Sequence, residues 1–163
     1  MNLVKFLIIF FLVAVHHDLF ACKCLPPKSV KEEMNNSDAV LVGRVLKKEV
    51  VRINDSAKLM GNDSTGHPVF EEYVIMRYEI AVEKMYKGRA TKSTVFVYTG
   101  SGGGDCGFHF ELGGRYIIYA NTAFYSLGFK FPSGENIFYT STCTRTAAYT
   151  ENEMEEIKTC LKN

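Results

Sequence analysis

The sequence predicts a small, mainly β protein, a closed β-barrel of five or six strands with a short helix at each end. Three observations support this fold class. Short apolar or alternating segments recur between residues 38 and 144 and are separated by turn-forming residues. A capping box begins a helix near each end of the region that follows the apolar leader. Residues 22–163 form a chain that is long enough for one hydrophobic core and short for two domains.

Residues 1–21 have the layout of a secretory signal. Lys5 precedes a charge-free apolar run, and the segment ends in the small residue Ala21. We therefore predict that residues 22–163 form a single secreted, extracellular domain. Two alternatives stay open. One is a retained membrane anchor, for which the apolar run is short. The other is bacterial lipoprotein processing at "LFAC", which would acylate Cys22 and leave a periplasmic or lipid-anchored protein.

The first elements are a short helix and two strands. Ser29 and Glu32 form a capping box for a helix in "SVKEEMNNS". Valine-rich residues 38–53 predict a long strand, and polar residues 54–68 predict a loop. Residues 69–88 predict a second strand with one buried face, because side chains alternate in the order Tyr78, Glu79, Ile80, Ala81, Val82 and Glu83.

The remaining segments complete the barrel. Residues 93–100 predict a third strand. Residues 108–121 predict a short fourth strand, a turn at Gly113 and Gly114, and a fifth strand. Residues 121–136 predict another loop, and residues 135–144 a last strand.

A second helix is predicted after the last strand. Thr150 and Glu153 form its capping box, and Met154, Ile157 and Leu161 give it one apolar face. With a helix at each end, the strands are typical of a barrel on which helices pack.

The charge balance gives no electrostatic reason to expect nucleic acid or an anionic membrane as a partner. The formal net charge is +1, and loss of the leader removes one basic and one acidic side chain, Lys5 and Asp18.

The glycine-rich stretch matches GxGxxG at Gly102, Gly104 and Gly107 and follows a predicted strand. A dinucleotide site would need a helix to begin there, whereas the next residues predict a strand. We therefore favour a flexible surface loop fixed by a disulfide at Cys106.

The sequence shows no convincing catalytic constellation, which favours a binding protein over an enzyme. His67 and His109 are the two histidines outside the leader, too few for a metal site without clustered ligands. Cys106 with His109 is an alternative nucleophile pair, disfavoured because a disulfide sulfur cannot act as a thiolate.

Five cysteines follow the leader, and in a secreted chain they predict disulfides with at least one thiol left over. They are Cys22, Cys24, Cys106, Cys143 and Cys160. Three glycosylation sequons stand at Asn35, Asn54 and Asn62, which in a eukaryotic protein are candidate glycan sites.

Six motifs stand in order along the chain: the Cys-Lys-Cys start, "DAVLVGRV", "YEIAVEKMYKG", "VYTGSGGGDCG", "GGRYIIYA" and "STCTRT". Together they resemble the netrin-like module, and above all the N-terminal domain of tissue inhibitors of metalloproteinases. The resemblance implies a five-stranded barrel of the oligonucleotide/oligosaccharide-binding type. It also implies the disulfides Cys22–Cys106 and Cys24–Cys143, with Cys160 unpaired.

In that family the α-amine and carbonyl oxygen of the mature terminal cysteine, here Cys22, chelate the catalytic zinc of the target protease. The resemblance implies that Lys23 enters the main specificity pocket and that Cys24, Leu25 and Pro26 follow along the cleft. The flanking contacts would come from Gly102, Gly103, Gly104, Asp105, Cys106 and Gly107. The implied protein is a monomeric inhibitor of matrix metalloproteinase or other metzincin-type zinc proteases, with no cofactor of its own.

Two departures from the family pattern bear on function. Lys23 stands where the family usually has serine or threonine, so either the target has a deep or acidic pocket or the chain is a non-inhibitory netrin-like module that binds a protein or glycan. The family's third disulfide is absent, because its first cysteine would fall near Asn35. The resulting free Cys160 is expected on the apolar side of the last helix, with an intermolecular disulfide as the alternative.

Overall fold

One curled sheet of six strands and two helices make up the described part of the chain. The computed structural model describes residues 24 and 25, 28–102, 104–123 and 131–162, so the predicted leader lies outside it. In chain order the elements are α1 (Val30–Asn36), β1 (Ala39–Asn62), β2 (Pro68–Lys87), β3 (Thr94–Gly100), β4 (Arg115–Ala120), β5 (Ile137–Tyr139), β6 (Ala147–Ala148) and α2 (Glu151–Lys162). The predicted mainly β fold with two helices is confirmed.

The sheet forms a half-barrel with the strand order β5-β3-β2-β1-β4-β6. Neighbouring strands are antiparallel except for β3 and β5, which are parallel. One isolated bridge joins the two sides, where Asn121 and Tyr139 exchange N–H···O bonds of 2.8 and 2.7 Å. Within the described residues no continuous ladder joins β4 to β5. The predicted closed five-stranded barrel is therefore not confirmed.

Both faces of β4 and of the first residues of β1, 39–42, are buried, which explains the nearly continuous apolar sequence at these positions. Leu41 and Ile118 belong to the cluster inside the half-barrel, together with Tyr78. Their neighbours Val40 and Ile117 belong to a second cluster on the opposite face. The helices cover that face with Val30, Met34, Met154 and Ile157.

β1 and β2 form a hairpin that extends far beyond the strands on either side. β3 pairs with β2 only between residues 75 and 81, whereas the ladder of β1 with β2 continues to Asn62 and Pro68. The predicted loop over residues 54–68 is therefore wrong, because only residues 63–67 form a turn. The Asp63 carboxylate shapes this turn by accepting hydrogen bonds from the amides of Thr65 (2.8 Å) and His67 (2.9 Å).

The predicted short strand after Cys106 is also wrong, since residues 106–111 are irregular. Backbone amides in this segment donate hydrogen bonds to side-chain hydroxyls instead of to a neighbouring strand. The amide of Phe108 donates to the Thr99 hydroxyl (2.7 Å), and the amide of Glu111 donates to the Tyr116 hydroxyl (2.9 Å). The turn at Gly113 and Gly114 is confirmed, with Gly113 at a positive φ of 74°.

The predicted last strand over residues 135–144 is shortened to β5 because the chain turns directly after it. Three hydroxyls hold this turn. Thr140 and Thr146 both donate to the carbonyl of Tyr119 (2.9 and 3.0 Å), and Thr144 donates to the carbonyl of Ser141 (2.9 Å). We call residues 140–146 the threonine loop. The two-residue strand β6 follows it and was not predicted.

The first capping box is confirmed and the second only by half. Ser29 and Glu32 bind each other's amides at 2.9 and 3.2 Å. The amide of Glu153 approaches the Thr150 hydroxyl (3.4 Å), but the Glu153 carboxylate binds other partners, described below.

The predicted apolar face of α2 is confirmed for two of its three residues. Met154 and Ile157 are buried, whereas Leu161 is 51% exposed, contrary to prediction. In the described part of the chain neither helix has the length and apolar character needed to span a bilayer. The sequon residues Asn35 and Asn62 are exposed, and Asn54 lies within β1.

Candidate functional site

A disulfide between Cys24 and Cys143 fixes the start of the described chain to the threonine loop. The two Cα atoms lie 5.0 Å apart although 119 positions separate them in sequence. The predicted pairing is therefore confirmed. Leu25, next to this bond, is 81% exposed. The bond thus holds the chain against the body of the protein while the following side chain faces solvent.

Cys106 lies beside this disulfide and is itself disulfide-bonded. Its predicted partner, Cys22, lies outside the described residues, as do Lys23, Pro26 and Gly103. The Cys106 carbonyl accepts hydrogen bonds from the amide and hydroxyl of Thr142 (2.9 and 3.2 Å). The end of the glycine-rich stretch is therefore fixed to the threonine loop.

The sulfur atoms of Cys24, Cys106 and Cys143 lie within 4.8 Å of one another. This spacing suits a metal, but all three cysteines are in disulfides, so they offer no thiolate to bind one. Because Cys106 is disulfide-bonded, it cannot act as the nucleophile in the alternative pair with His109. Cys160 is free and half-buried, and it packs against the apolar cluster under the helices, as predicted.

Asp105 fills the centre of the glycine loop, which we define as residues 100–107. Its carboxylate accepts hydrogen bonds from the amides of Ser101 (2.6 Å), Gly102 (2.8 Å) and Gly107 (3.3 Å). Burial raises the pKa of Asp105, but the hydrogen bonds from these donors lower it by more, so the pKa lies below the ordinary value. Because the protein's own carboxylate occupies these amides, the loop does not offer them to a phosphate. The expected flexible loop is thus internally bonded.

Glycine is required at two positions of the loop, by a close backbone approach at Gly107 and by a positive φ at Gly102. A Cβ at Gly107 would lie 2.2 Å from the carbonyl oxygen of Gly100. A Cβ at Gly102, where φ is +93°, would lie 2.2 Å from Nε2 of His109. His67 lies elsewhere, in the turn of the hairpin, where its Nδ1 is 2.8 Å from the Thr65 hydroxyl.

An ion pair that sequence reasoning missed lies behind the site. The Arg145 guanidinium contacts both carboxylate oxygens of Glu153, with Nε 2.9 Å from Oε1, and the Tyr119 hydroxyl donates to the same oxygen at 2.7 Å. The third arm of Arg145 donates to the carbonyl of Lys28 (2.7 Å). The capping pattern predicts only a contact of Glu153 within α2. The spacing of residues in the sequence does not indicate that Glu153 has a partner outside this helix.

Burial and pairing shift the pKa values of this group. Burial raises the pKa of Glu153, but hydrogen bonds from Arg145 and Tyr119 lower it below the ordinary value. The hydrogen bond to Glu153 raises the pKa of Arg145. Burial, followed by the contact with Glu153, raises the pKa of Tyr119. The pair is therefore charged and the tyrosine neutral at physiological pH.

Comparison with known proteins assigns the family. No curated protein matches the chain. A family model described as tissue inhibitor of metalloproteinase matches residues 20–126, more than half of the chain. The match includes both cysteines of the Cys-Lys-Cys start and the whole glycine loop. The chain belongs to the tissue inhibitor of metalloproteinase family.

Proposed function

We propose that this protein inhibits metzincin-type zinc proteases by chelating their catalytic zinc through the α-amine and carbonyl oxygen of Cys22. The observation that carries the proposal is the Cys24–Cys143 disulfide in a chain of this inhibitor family. It fixes the backbone two residues after Cys22 beside the glycine loop. Members of the family are inhibitors rather than enzymes.

The chemistry needs only the backbone of a free terminal residue. A catalytic zinc keeps one coordination position open for water or substrate. An amine nitrogen and the carbonyl oxygen of the same residue form a five-membered ring with a metal at that position and displace the water. Since a protonated amine has no lone pair, inhibition weakens as the pH falls through the amine pKa, ordinarily about 7.7 to 8.0.

Preorganisation supplies much of the affinity in this proposal. A free tail would lose conformational entropy when it entered a protease cleft, and a tail already bonded to the protein loses less. The Cys24–Cys143 bond supports this role, and the predicted Cys22–Cys106 bond would extend it to the terminal residue. The exposed Leu25 is then free to lie along the cleft, followed by Pro26.

Lys23 selects the target in this proposal. It occupies the main specificity pocket, and a lysine there must give up hydration of its ammonium group. A deep pocket that lets the ammonium reach water, or one that contains a carboxylate, offsets that loss. The same residue favours a second candidate, a non-inhibitory netrin-like module that binds an extracellular protein or glycan. Secretion, the removal of residues 1–21 and a monomeric state remain part of the proposal.

Titration of a panel of metzincin catalytic domains tests the proposal. One preparation begins at Cys22, and its matched control carries one additional alanine before Cys22. We expect tight inhibition by the first and none by the second, because the added residue converts the amine into an amide. Absence of inhibition by both, with intact mass showing two disulfides, would reject the inhibitor proposal for that panel and favour the binding module.

A further inference from the structure

The threonine loop holds the start of the chain at two points. Cys143 bonds to Cys24, and two residues later the Nη1 of Arg145 donates to the carbonyl of Lys28 at 2.7 Å. Lys28 directly precedes Ser29, which caps α1. We call residues 22–28 the N-terminal segment. Its described end is therefore anchored by a covalent bond and by a charge-assisted hydrogen bond to the same loop.

Residues of α2 and β4 hold the Arg145 side chain in place. Its guanidinium binds Glu153 of α2 through two nitrogens, and Glu153 also accepts a hydrogen bond from the hydroxyl of Tyr119 in β4. The side chains of Arg145 and Glu153 are only 25% and 14% exposed. A partly buried, bidentate pair keeps the third arm of the guanidinium aimed at one place.

The loop that carries both anchors is itself bonded to the half-barrel. The hydroxyls of Thr140 and Thr146 bind the Tyr119 carbonyl, and Thr142 binds the Cys106 carbonyl. The positions of Cys143 and Arg145 relative to the glycine loop are thus set by hydrogen bonds on both sides of each residue.

We infer that Arg145 is a positioning residue, which sets the direction in which the N-terminal segment leaves the body of the protein and so presents Cys22. The inference rests on the proposed function. Arg145 acts through the Lys28 carbonyl and needs no contact with zinc. The Cys24–Cys143 bond fixes the segment at one point, and the Lys28 anchor adds a second point on the C-terminal side of Cys24, where the predicted Cys22–Cys106 bond does not act. The neighbouring contact of the Lys28 ammonium with Glu33 is longer, at 3.7 Å.

Arg145→Lys is the informative substitution because it keeps the positive charge and removes the planar fork. A lysine ammonium facing Glu153 cannot also hold the Lys28 carbonyl in the same geometry. Glu153→Gln is the second variant. It removes the ion pair but leaves the guanidinium able to bind Lys28. Arg115→Lys is the matched control, since Arg115 also pairs with a glutamate, Glu83, at 2.7 Å.

Two readouts separate positioning from stability. The first is amide hydrogen exchange of Leu25 and residues 28–30 in the free protein, since Pro26 and Pro27 have no amide hydrogen, measured by mass spectrometry alongside the melting temperature. The second is the inhibition constant against a protease that the wild type inhibits. We expect Arg145→Lys to accelerate exchange of this segment about tenfold and to weaken inhibition about tenfold, the loss of one hydrogen bond to a charged group. Glu153→Gln lowers the melting temperature with less effect on the segment, and Arg115→Lys leaves the segment unchanged.

The outcomes distinguish this inference from the proposed function. If wild type inhibits no protease, exchange still tests whether Arg145 orders the segment. If Arg145→Lys exchanges and inhibits like Arg115→Lys, Arg145 is not a positioning residue, although zinc chelation would stand. If exchange follows the melting temperature equally in Arg145→Lys and Glu153→Gln, the pair acts on stability alone and the inference is overturned.

Discussion

Removal of the Cys24–Cys143 disulfide by the double substitution Cys24→Ser and Cys143→Ser is the perturbation with the largest expected effect. The bond spans 119 positions. In the chain-entropy model, a loop of this length corresponds to about 5 kcal/mol of stability at 25 °C. The predicted Cys22–Cys106 bond would shorten the free loop to about 40 residues and lower the figure to about 4 kcal/mol. Either value is a large part of the stability of an ordinary domain.

Denaturant unfolding measures this effect, with intact mass used to count the remaining disulfide. The matched control is Cys160→Ser, the same chemical change at the free cysteine of the described chain. We expect the control to lose less than about 1.5 kcal/mol, since it removes only partly buried packing. A double variant that loses no more than the control would refute the view that this bond stabilises the fold by closing a long loop.

Three further predictions concern the loop, the core and the ion pair. Gly107→Ala should cost more than about 2 kcal/mol in denaturant unfolding, because the new Cβ meets the Gly100 carbonyl at 2.2 Å; a smaller loss would mean that the loop adjusts freely. Tyr78→Phe should be neutral or stabilise by about 1 kcal/mol, because its buried hydroxyl has no hydrogen-bond partner in the described chain; a loss above about 1 kcal/mol would reveal a partner. Since pairing lowers the folded-state pKa of Glu153, the stability it contributes is complete above its ordinary pKa of 4.5 and lost as the pH falls below that value. The stability difference between wild type and Glu153→Gln should therefore narrow between about pH 6 and pH 3, and a constant difference would contradict the assigned pairing.

Local rules predicted the elements whose causes are local. The helix α1 begins where its capping box stands, since Ser29 and Glu32 satisfy each other's amides without help from the rest of the chain. The valine-rich start of β1 and the apolar run of β4 predict strands, and these residues are buried on both faces of the sheet. In each case the sequence pattern and the stabilising interaction lie in the same few residues.

The missed elements depend on distant residues. In the described chain the outer part of the β1–β2 hairpin pairs with no third strand, and residues 54–62 are mostly polar, so they lack the alternation by which a strand is detected. The turn after β5 forms because threonine hydroxyls reach the Tyr119 carbonyl, about 20 positions away in sequence.

The candidate site divides in the same way. The Cys24–Cys143 pairing came from family resemblance, and the structure bears it out. The glycine loop was located correctly, but its filling by Asp105 required the fold. Arg145 was missed because its partners, Glu153 and Lys28, lie on opposite sides of it in sequence.

The visible absorption spectrum of a cobalt(II)-substituted metzincin catalytic domain tests zinc chelation by Cys22 most directly, because the bands of cobalt change with its ligands. We expect one equivalent of protein beginning at Cys22 to change the spectrum and abolish activity together. The same protein with an alanine before Cys22 should do neither. Inhibition by the Cys22 form without a spectral change would contradict chelation and place the inhibitory contacts away from the metal.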